Sequence, residues 1–82
     1  MSTPFTMAVE RTVLAKGRGL VAVGNPVGEP VAGPVVINRA DGTSTSAVVL
    51  KAEPMKAPVG AWGLLLADVT EIPVGAIIEG GR

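Results

Sequence analysis

Glycine and proline interrupt this chain at short intervals, and their spacing is the feature that most limits the folds it can form. Eleven glycines and seven prolines are spread over 82 residues, and the segments between them are rich in valine. Apolar segments of about five to ten residues between turn residues are typical of short β-strands. No window repeats apolar residues at the spacing that an amphipathic helix needs. We therefore expect an all-β protein with little or no helix.

Turn residues divide the chain into six predicted strands. Gly17-Arg18-Gly19 and Asp41-Gly42 predict hairpins, because glycine accepts the positive φ angles of tight reversals. Residues 25–30 predict a loop, because Pro26 and Pro30 cannot donate to a strand ladder. The predicted strands are residues 5–14, 20–24, 35–39, 44–52, 61–69 and 75–79.

The alternation of side chains in these strands predicts how they pack. Phe5, Met7 and Val9 alternate with more polar neighbours and should share one buried face. Six strands at this spacing predict one domain over residues 1–82, a single closed antiparallel-rich β-barrel, because closing a sheet removes its exposed edges. Residues 1–3 and 80–82 are expected to be flexible.

The composition argues against catalysis. The chain has no histidine and no cysteine, so the usual general base and the thiolate nucleophile are both missing. Asp68 and Glu71 lie close in sequence, but we interpret them as solvated turn residues. We therefore expect no catalytic site, no cofactor and no bound metal, with a small enzyme of unknown reaction as the residual alternative.

The charge and hydropathy of the chain bear on its location. Seven basic residues balance seven acidic ones, which gives no overall attraction to nucleic acid or anionic lipid. The longest uncharged stretches, such as residues 57–67, are much shorter than the roughly 20 apolar residues of a membrane-spanning helix. The first residues lack the pattern of a secretory signal. We expect a cytoplasmic protein without membrane association.

The strand at residues 61–69 is apolar on both faces. If Trp62, Leu64 and Leu66 point inward, Leu65 is left on the outer face beside Gly63. An outward leucine next to a small residue indicates a shallow apolar site or a protein contact, although single exposed leucines also occur without function.

Basic residues recur in two connections between strands. Lys16, Arg18, Lys51 and Lys56 could meet at one end of the barrel and form a basic rim, away from the acidic residues. Such a rim either contacts phosphate or is merely solvated. With only two aromatic residues in the chain, stacking on single-stranded nucleic acid has little support.

Five motifs follow one another along the chain: an opening strand, a Gly-Arg-Gly hairpin, a Gly-Pro-Val-Val-Ile strand, an apolar strand and a Glu-Ile segment. They correspond to residues 5–10, 17–24, 28–37, 62–66 and 71–78. Their order resembles domain 2 of the translational GTPases, the β-barrel that follows the G domain in elongation factor Tu.

The resemblance implies a barrel that packs on a G domain and holds the aminoacylated 3′ adenosine of tRNA in a shallow pocket. Val21 and Leu65 match two apolar walls of that pocket, and Ala15 matches a third wall with a smaller side chain. The family's pocket glutamate falls near Leu50 or Lys51, where no acid stands. GTP hydrolysis is not implied, because the chain contains no GTPase motif.

Together these observations predict a stand-alone, non-catalytic binding module without its own G domain, which binds a protein partner or associates with itself. The alternative is an RNA-end or tRNA-binding module. In that alternative Val21 and Leu65 form an apolar platform for a base, and Lys16, Arg18 and Lys51 contact phosphates.

Overall fold

The computed structural model describes residues 4–69 and 71–81, which form one antiparallel β-sheet without any helix. Residues 1–3 and 82, part of the ends predicted to be flexible, lie outside the described residues. Residues 4–69 and 71–81 contain no helix able to span a membrane. The strands are β1 (Phe5–Ala8), β2 (Arg11–Ala15), β3 (Gly19–Gly24), β4 (Pro26–Val27), β5 (Gly33–Asn38), β6 (Ser44–Pro54), β7 (Trp62–Ala67) and β8 (Ile77–Gly80).

The strands follow the order β2-β3-β7-β6-β5-β8-β1-β4, and every pairing is antiparallel. The all-β prediction is confirmed. In hydrogen-bonding terms the sheet is not closed, because β2 and β4 are its end strands. The described residues contain eight strands rather than the predicted six, since the first predicted strand is divided into β1 and β2 and β4 is additional.

The short segment between β1 and β2 contacts strands from both halves of the sheet. Val9 N donates to Ala76 O at 2.8 Å and Val9 O accepts from Gly75 N at 2.9 Å, on the side where β8 follows. Glu10 N donates to Val23 O in β3 at 2.8 Å. The first predicted strand therefore bends here and joins two pairings that lie far apart in the strand order.

The predicted loop at 25–30 is wrong at two positions. Thr6 pairs with Val27 and Met7 with Pro26, so β4 adds a two-residue strand beside β1. Pro26 has no N–H to give to a further neighbour, which is why this strand ends the sheet.

The core is apolar and draws on six strands and their connections. The prediction that Phe5, Met7 and Val9 share a buried face is confirmed, as is the inward orientation of Leu64 and Leu66. The core residues are Phe5, Met7, Val9, Leu20, Ala22, Val35, Ile37, Val49, Leu64, Leu66, Ile72, Ala76 and Ile78, with Ala47, Ala52, Trp62 and Val69 partly buried against them.

Gly80 belongs to β8 and is buried, although it was expected to lie in a flexible tail. A Cβ atom on Gly80 would lie 2.6 Å from Val35 Cγ1 and 2.9 Å from Phe5 Cε1. The strand therefore extends to this position because only glycine lets β8 pack so close to these two side chains.

Candidate binding groove

Three neighbouring strands place predicted site residues side by side on the outer face of the sheet. Val21 in β3 pairs with Leu65 in β7, and Leu65 pairs with Lys51 in β6. Because Leu64 and Leu66 are fully buried, period-two alternation turns Leu65 outward. The predicted outward orientation of Leu65 is confirmed.

These residues line a groove of about 300 Å³, which we call the Leu65 groove. Five of the six predicted site residues border it, and four further residues complete it. The lining consists of Ala15, Arg18, Val21, Lys51, Glu53, Pro54, Met55, Gly63 and Leu65.

Gly63 keeps the middle of the Leu65 groove open. A Cβ atom at this position would lie 3.2 Å from Val21 Cγ1 and 3.9 Å from Met55 Sδ. Any side chain on residue 63 would therefore occupy the space between these two apolar groups. Sequence reasoning noticed Gly63 only as a neighbour of Leu65, because nothing local shows that Met55 folds back beside it.

A β-bulge in β6 brings Lys51 to the groove. Val49 pairs with Leu66 and Lys51 pairs with Leu65, so Leu50 is an extra residue between two consecutive pairs. Without this insertion, alternation from the buried Val49 would turn Lys51 toward the core. The bulge thus places a charged residue on the outer face, where it remains solvated.

Glu53 is a groove residue that the sequence analysis missed. Alignment with the resembled family placed the pocket acid near Leu50 or Lys51, but β6 extends to Pro54 and carries Glu53 to the outer face, opposite Gly63. Lys51 Nζ lies 2.7 Å from Glu53 Oε1. Both side chains are more than half exposed, so this ion pair adds little stability and its charges stay accessible.

The predicted basic rim is only partly assembled. Arg18 and Lys51 border the Leu65 groove, whereas Lys16 lies in an adjoining depression beyond the hairpin and Lys56 lines neither. Asp68, which was expected to lie away from the basic residues, lines the same depression as Lys16. The hairpin and the end of β7 meet here, which brings an acid into the expected basic region.

A second groove lies on the outer face of β5, β6 and β8 and measures about 430 Å³. Val36 and Val48 give it an apolar surface, and the Glu79 carboxylate at its edge accepts a hydrogen bond from Asn38 Nδ2 at 3.1 Å. Sequence analysis did not identify this groove, although alternate outward valines in two predicted strands were a visible signal.

The Leu65 groove combines a mainly apolar lining with three charged side chains. Its polar side chains are one lysine, one arginine and one glutamate, and the rest of its lining is apolar or small. Within residues 4–69 and 71–81, no three acidic side chains are grouped so that they could hold a metal ion.

Comparison of the chain with models of protein families found no match, and comparison with curated proteins found none either.

Proposed function

We propose that this chain is a non-catalytic binding module that takes an apolar side chain of a protein partner into the Leu65 groove. The observation that carries the proposal is the open space above Gly63, between Val21 and Met55. A concave, mainly apolar site with a few polar groups at its rim is typical of sites that recognise another molecule.

The size and charge of the groove favour a protein partner. About 300 Å³ is at the lower end of small-molecule sites and suits one anchoring side chain of a larger partner. The rim offers both signs of charge through Lys51 and Glu53, 2.7 Å apart. A mixed rim suits polypeptide, which presents both signs, better than a phosphate backbone, which Glu53 would repel.

The test is an NMR titration of the chain with peptides that carry a central leucine, phenylalanine or tryptophan. We expect shift changes at Val21, Gly63 and Leu65. Gly63→Val fills the groove and should abolish them, and Leu65→Glu should weaken them at least tenfold by placing a charge on the apolar wall.

Val48→Glu is the matched control, since it places the same charge on the outer face of β6 in the second groove. It should leave peptide binding at the Leu65 groove unchanged. Peptide binding that survives Gly63→Val would contradict the proposal.

A second candidate function is recognition of an RNA end, which the positions of Arg18 and Lys51 favour. These cations flank Val21 and Leu65, so a base lying on the apolar floor would bring its phosphates within reach of the two side chains. The notable obstacle is Glu53, whose carboxylate already pairs with Lys51.

Titration with tRNA and short RNA oligonucleotides separates this candidate from the first. Two phosphate contacts predict an affinity that falls with salt concentration with a logarithmic slope of about −1.4, whereas apolar peptide binding should be nearly independent of salt. Arg18→Ala combined with Lys51→Ala should abolish RNA binding and spare peptide binding. Failure to bind RNA at low salt removes this candidate.

Closure of the sheet into a barrel is part of the proposal. Its support is the segment at Val9 and Glu10. Val9 is hydrogen-bonded to Ala76, next to β8, and Glu10 is hydrogen-bonded to Val23 in β3, so the segment connects two distant parts of the sheet. If the barrel is closed, these two amides should exchange with solvent as slowly as those at the centre of β3. Fast exchange at both would indicate an open sheet.

Membership of the domain 2 family of translational GTPases is likewise a proposal, supported by the order of motifs from residue 5 to residue 78. Its most direct test is binding of the chain to an isolated translational G domain. A complex that Leu65→Glu does not disturb would place the G domain on another face. Absence of any complex would count against a function like that of domain 2 in this family.

A further inference from the structure

The two end strands of the sheet differ in how their free edges are protected. β4 has only two residues and begins with Pro26, which has no backbone N–H. β2 has five residues, Arg11–Ala15, without proline or glycine, and β3 is its only paired neighbour among the described strands. A strand edge of this length, left unprotected, is a template for pairing with another strand.

The backbone geometry of β2 shows which groups this edge offers. Ala15 O accepts a hydrogen bond from Arg18 N at 2.8 Å, so the carbonyl of Ala15 points into the hairpin with β3. Because backbone groups alternate in direction along a strand, Thr12 and Leu14 direct their N–H and C=O groups away from β3. Leu14 adds a side chain that is 69% exposed.

We propose that the β2 edge pairs with β2 of a second copy of this chain, antiparallel and centred on Val13. In this register Thr12 of each copy faces Leu14 of the other, so the outward backbone groups meet. Glu10 directly precedes β2 and Lys16 directly follows it in the turn, so the same register brings Glu10 of each copy toward Lys16 of the other, with one pair of opposite charges at each end. Moving the register by two residues in either direction separates Glu10 from Lys16 and leaves only three residues of each β2 strand paired.

The pairing also joins apolar surface. Val13 is 46% exposed and pairs with Val21, which pairs with Leu65 on the outer face. A symmetric partner would continue this row across the interface and cover Leu14. One five-residue strand from each copy makes a small interface, below about 1,200 Å² in total, which is typical of weak and transient association. The dimer therefore forms only as protein concentration rises.

Sedimentation velocity of the full chain at low salt, from about 10 µM to about 1 mM, measures this association. Glu10→Lys or Lys16→Glu should weaken it about tenfold, because each variant turns two attractions into repulsions. The combined Glu10→Lys and Lys16→Glu variant should restore it, because opposite charges again face each other. Glu29→Lys, which changes the charge by the same amount away from β2, is the control and should not weaken it.

Amide hydrogen exchange gives an independent measurement on the unmodified chain. Exchange at Thr12 and Leu14 should slow as concentration rises, while exchange at Val13 stays constant. The Leu65→Glu variant should still dimerise, because Leu65 lies outside the proposed interface. This result would distinguish dimerisation through β2 from binding at the Leu65 groove. A monomer at every concentration, or a dimer whose affinity is unchanged in the charge-reversal variants, would overturn the proposed pairing.

Discussion

Two tight hairpins of this protein are built around glycine, yet they are stabilised in different ways. The first hairpin, residues 15–19, joins β2 and β3 and borders the Leu65 groove; the second, residues 39–43, joins β5 and β6. In the first, a Cβ atom on Gly19 would overlap the carbonyl O of Leu66, so the turn is pressed against β7. In the second, a Cβ atom on Gly42 would meet nothing within 4 Å.

The second hairpin relies on its own hydrogen bonds. Arg39 N donates to Thr43 O at 2.8 Å, and Asp41 Oδ1 accepts from Thr43 N at 2.9 Å and from Thr43 Oγ1 at 2.6 Å. These contacts span only a few residues and are exposed to solvent. The hairpin next to the groove is therefore packed against a distant strand, whereas the other hairpin depends on hydrogen bonds among its own residues.

The strongest test of this difference is Gly19→Ala. The new methyl group would clash with a backbone carbonyl, and the φ of +131° at this position is one that alanine rarely adopts. The two effects together should lower the free energy of unfolding by about 4 kcal/mol. Urea denaturation measures the loss, and a change below 1 kcal/mol would show that the hairpin does not depend on β7.

Gly42→Ala in the second hairpin is the matched substitution, with a smaller expected effect. The φ of +89° disfavours alanine, but the position is open, so the loss should be about 1 kcal/mol. Gly17→Ala, at φ +78° in equally open space, should cost about the same. If Gly17→Ala instead matched Gly19→Ala, the whole first hairpin would be sensitive, and contact with Leu66 would not be the cause.

Removing a single local hydrogen bond should have a still smaller effect. Thr43→Val keeps the shape of the side chain and the backbone N–H but loses the hydroxyl that donates to Asp41 Oδ1. Because both groups are exposed, we expect a loss of about 0.5 kcal/mol in chemical denaturation. A loss above 2 kcal/mol would mean that this hydrogen bond supports more than its own turn.

The smallest expected effect is a response of the second hairpin to acid. Hydrogen bonds from the Thr43 side chain and backbone, helped by the nearby Arg39, lower the pKa of Asp41 below its ordinary value of 3.8. A lowered folded-state pKa favours the folded hairpin above pH 3.8, and this contribution is lost as pH falls through the folded pKa. The protection factor of the Thr43 amide, which corrects for the slower intrinsic exchange of amides in acid, should therefore fall as the pH drops below 3.8.

Asp41→Asn is the control for this acid response, since it removes the titrating group and should abolish the pH dependence at Thr43. Amides of the first hairpin, which has no comparable carboxylate, provide the internal reference. Equal acid sensitivity at both hairpins would point to general loosening of the sheet.

Both hairpins were predictable because their signals are local. Gly17-Arg18-Gly19 and Asp41-Gly42 lie at the predicted reversals, and the φ angles of Gly17, Gly19 and Gly42 are positive as expected. Their different dependence on the rest of the protein was not predictable, because Leu66 approaches Gly19 from a strand more than forty residues away. Val21 and Leu65 lie together in the groove for the complementary reason that β3 and β7 alternate regularly.

The sequence by itself determined the all-β class, the two hairpins and the buried rows, because turn chemistry and period-two alternation depend on near neighbours. Tertiary structure decided where the alternation breaks. Val9 is buried, whereas Val13, four residues later, lies on the outer face. In β6 the bulge at Leu50 turns Lys51 to the outer face, although Val49 is buried. Each irregularity depends on pairing with other strands, because a residue is extra only in comparison with the strand that it pairs with. Those two breaks place the rim of the groove on the outside of the protein.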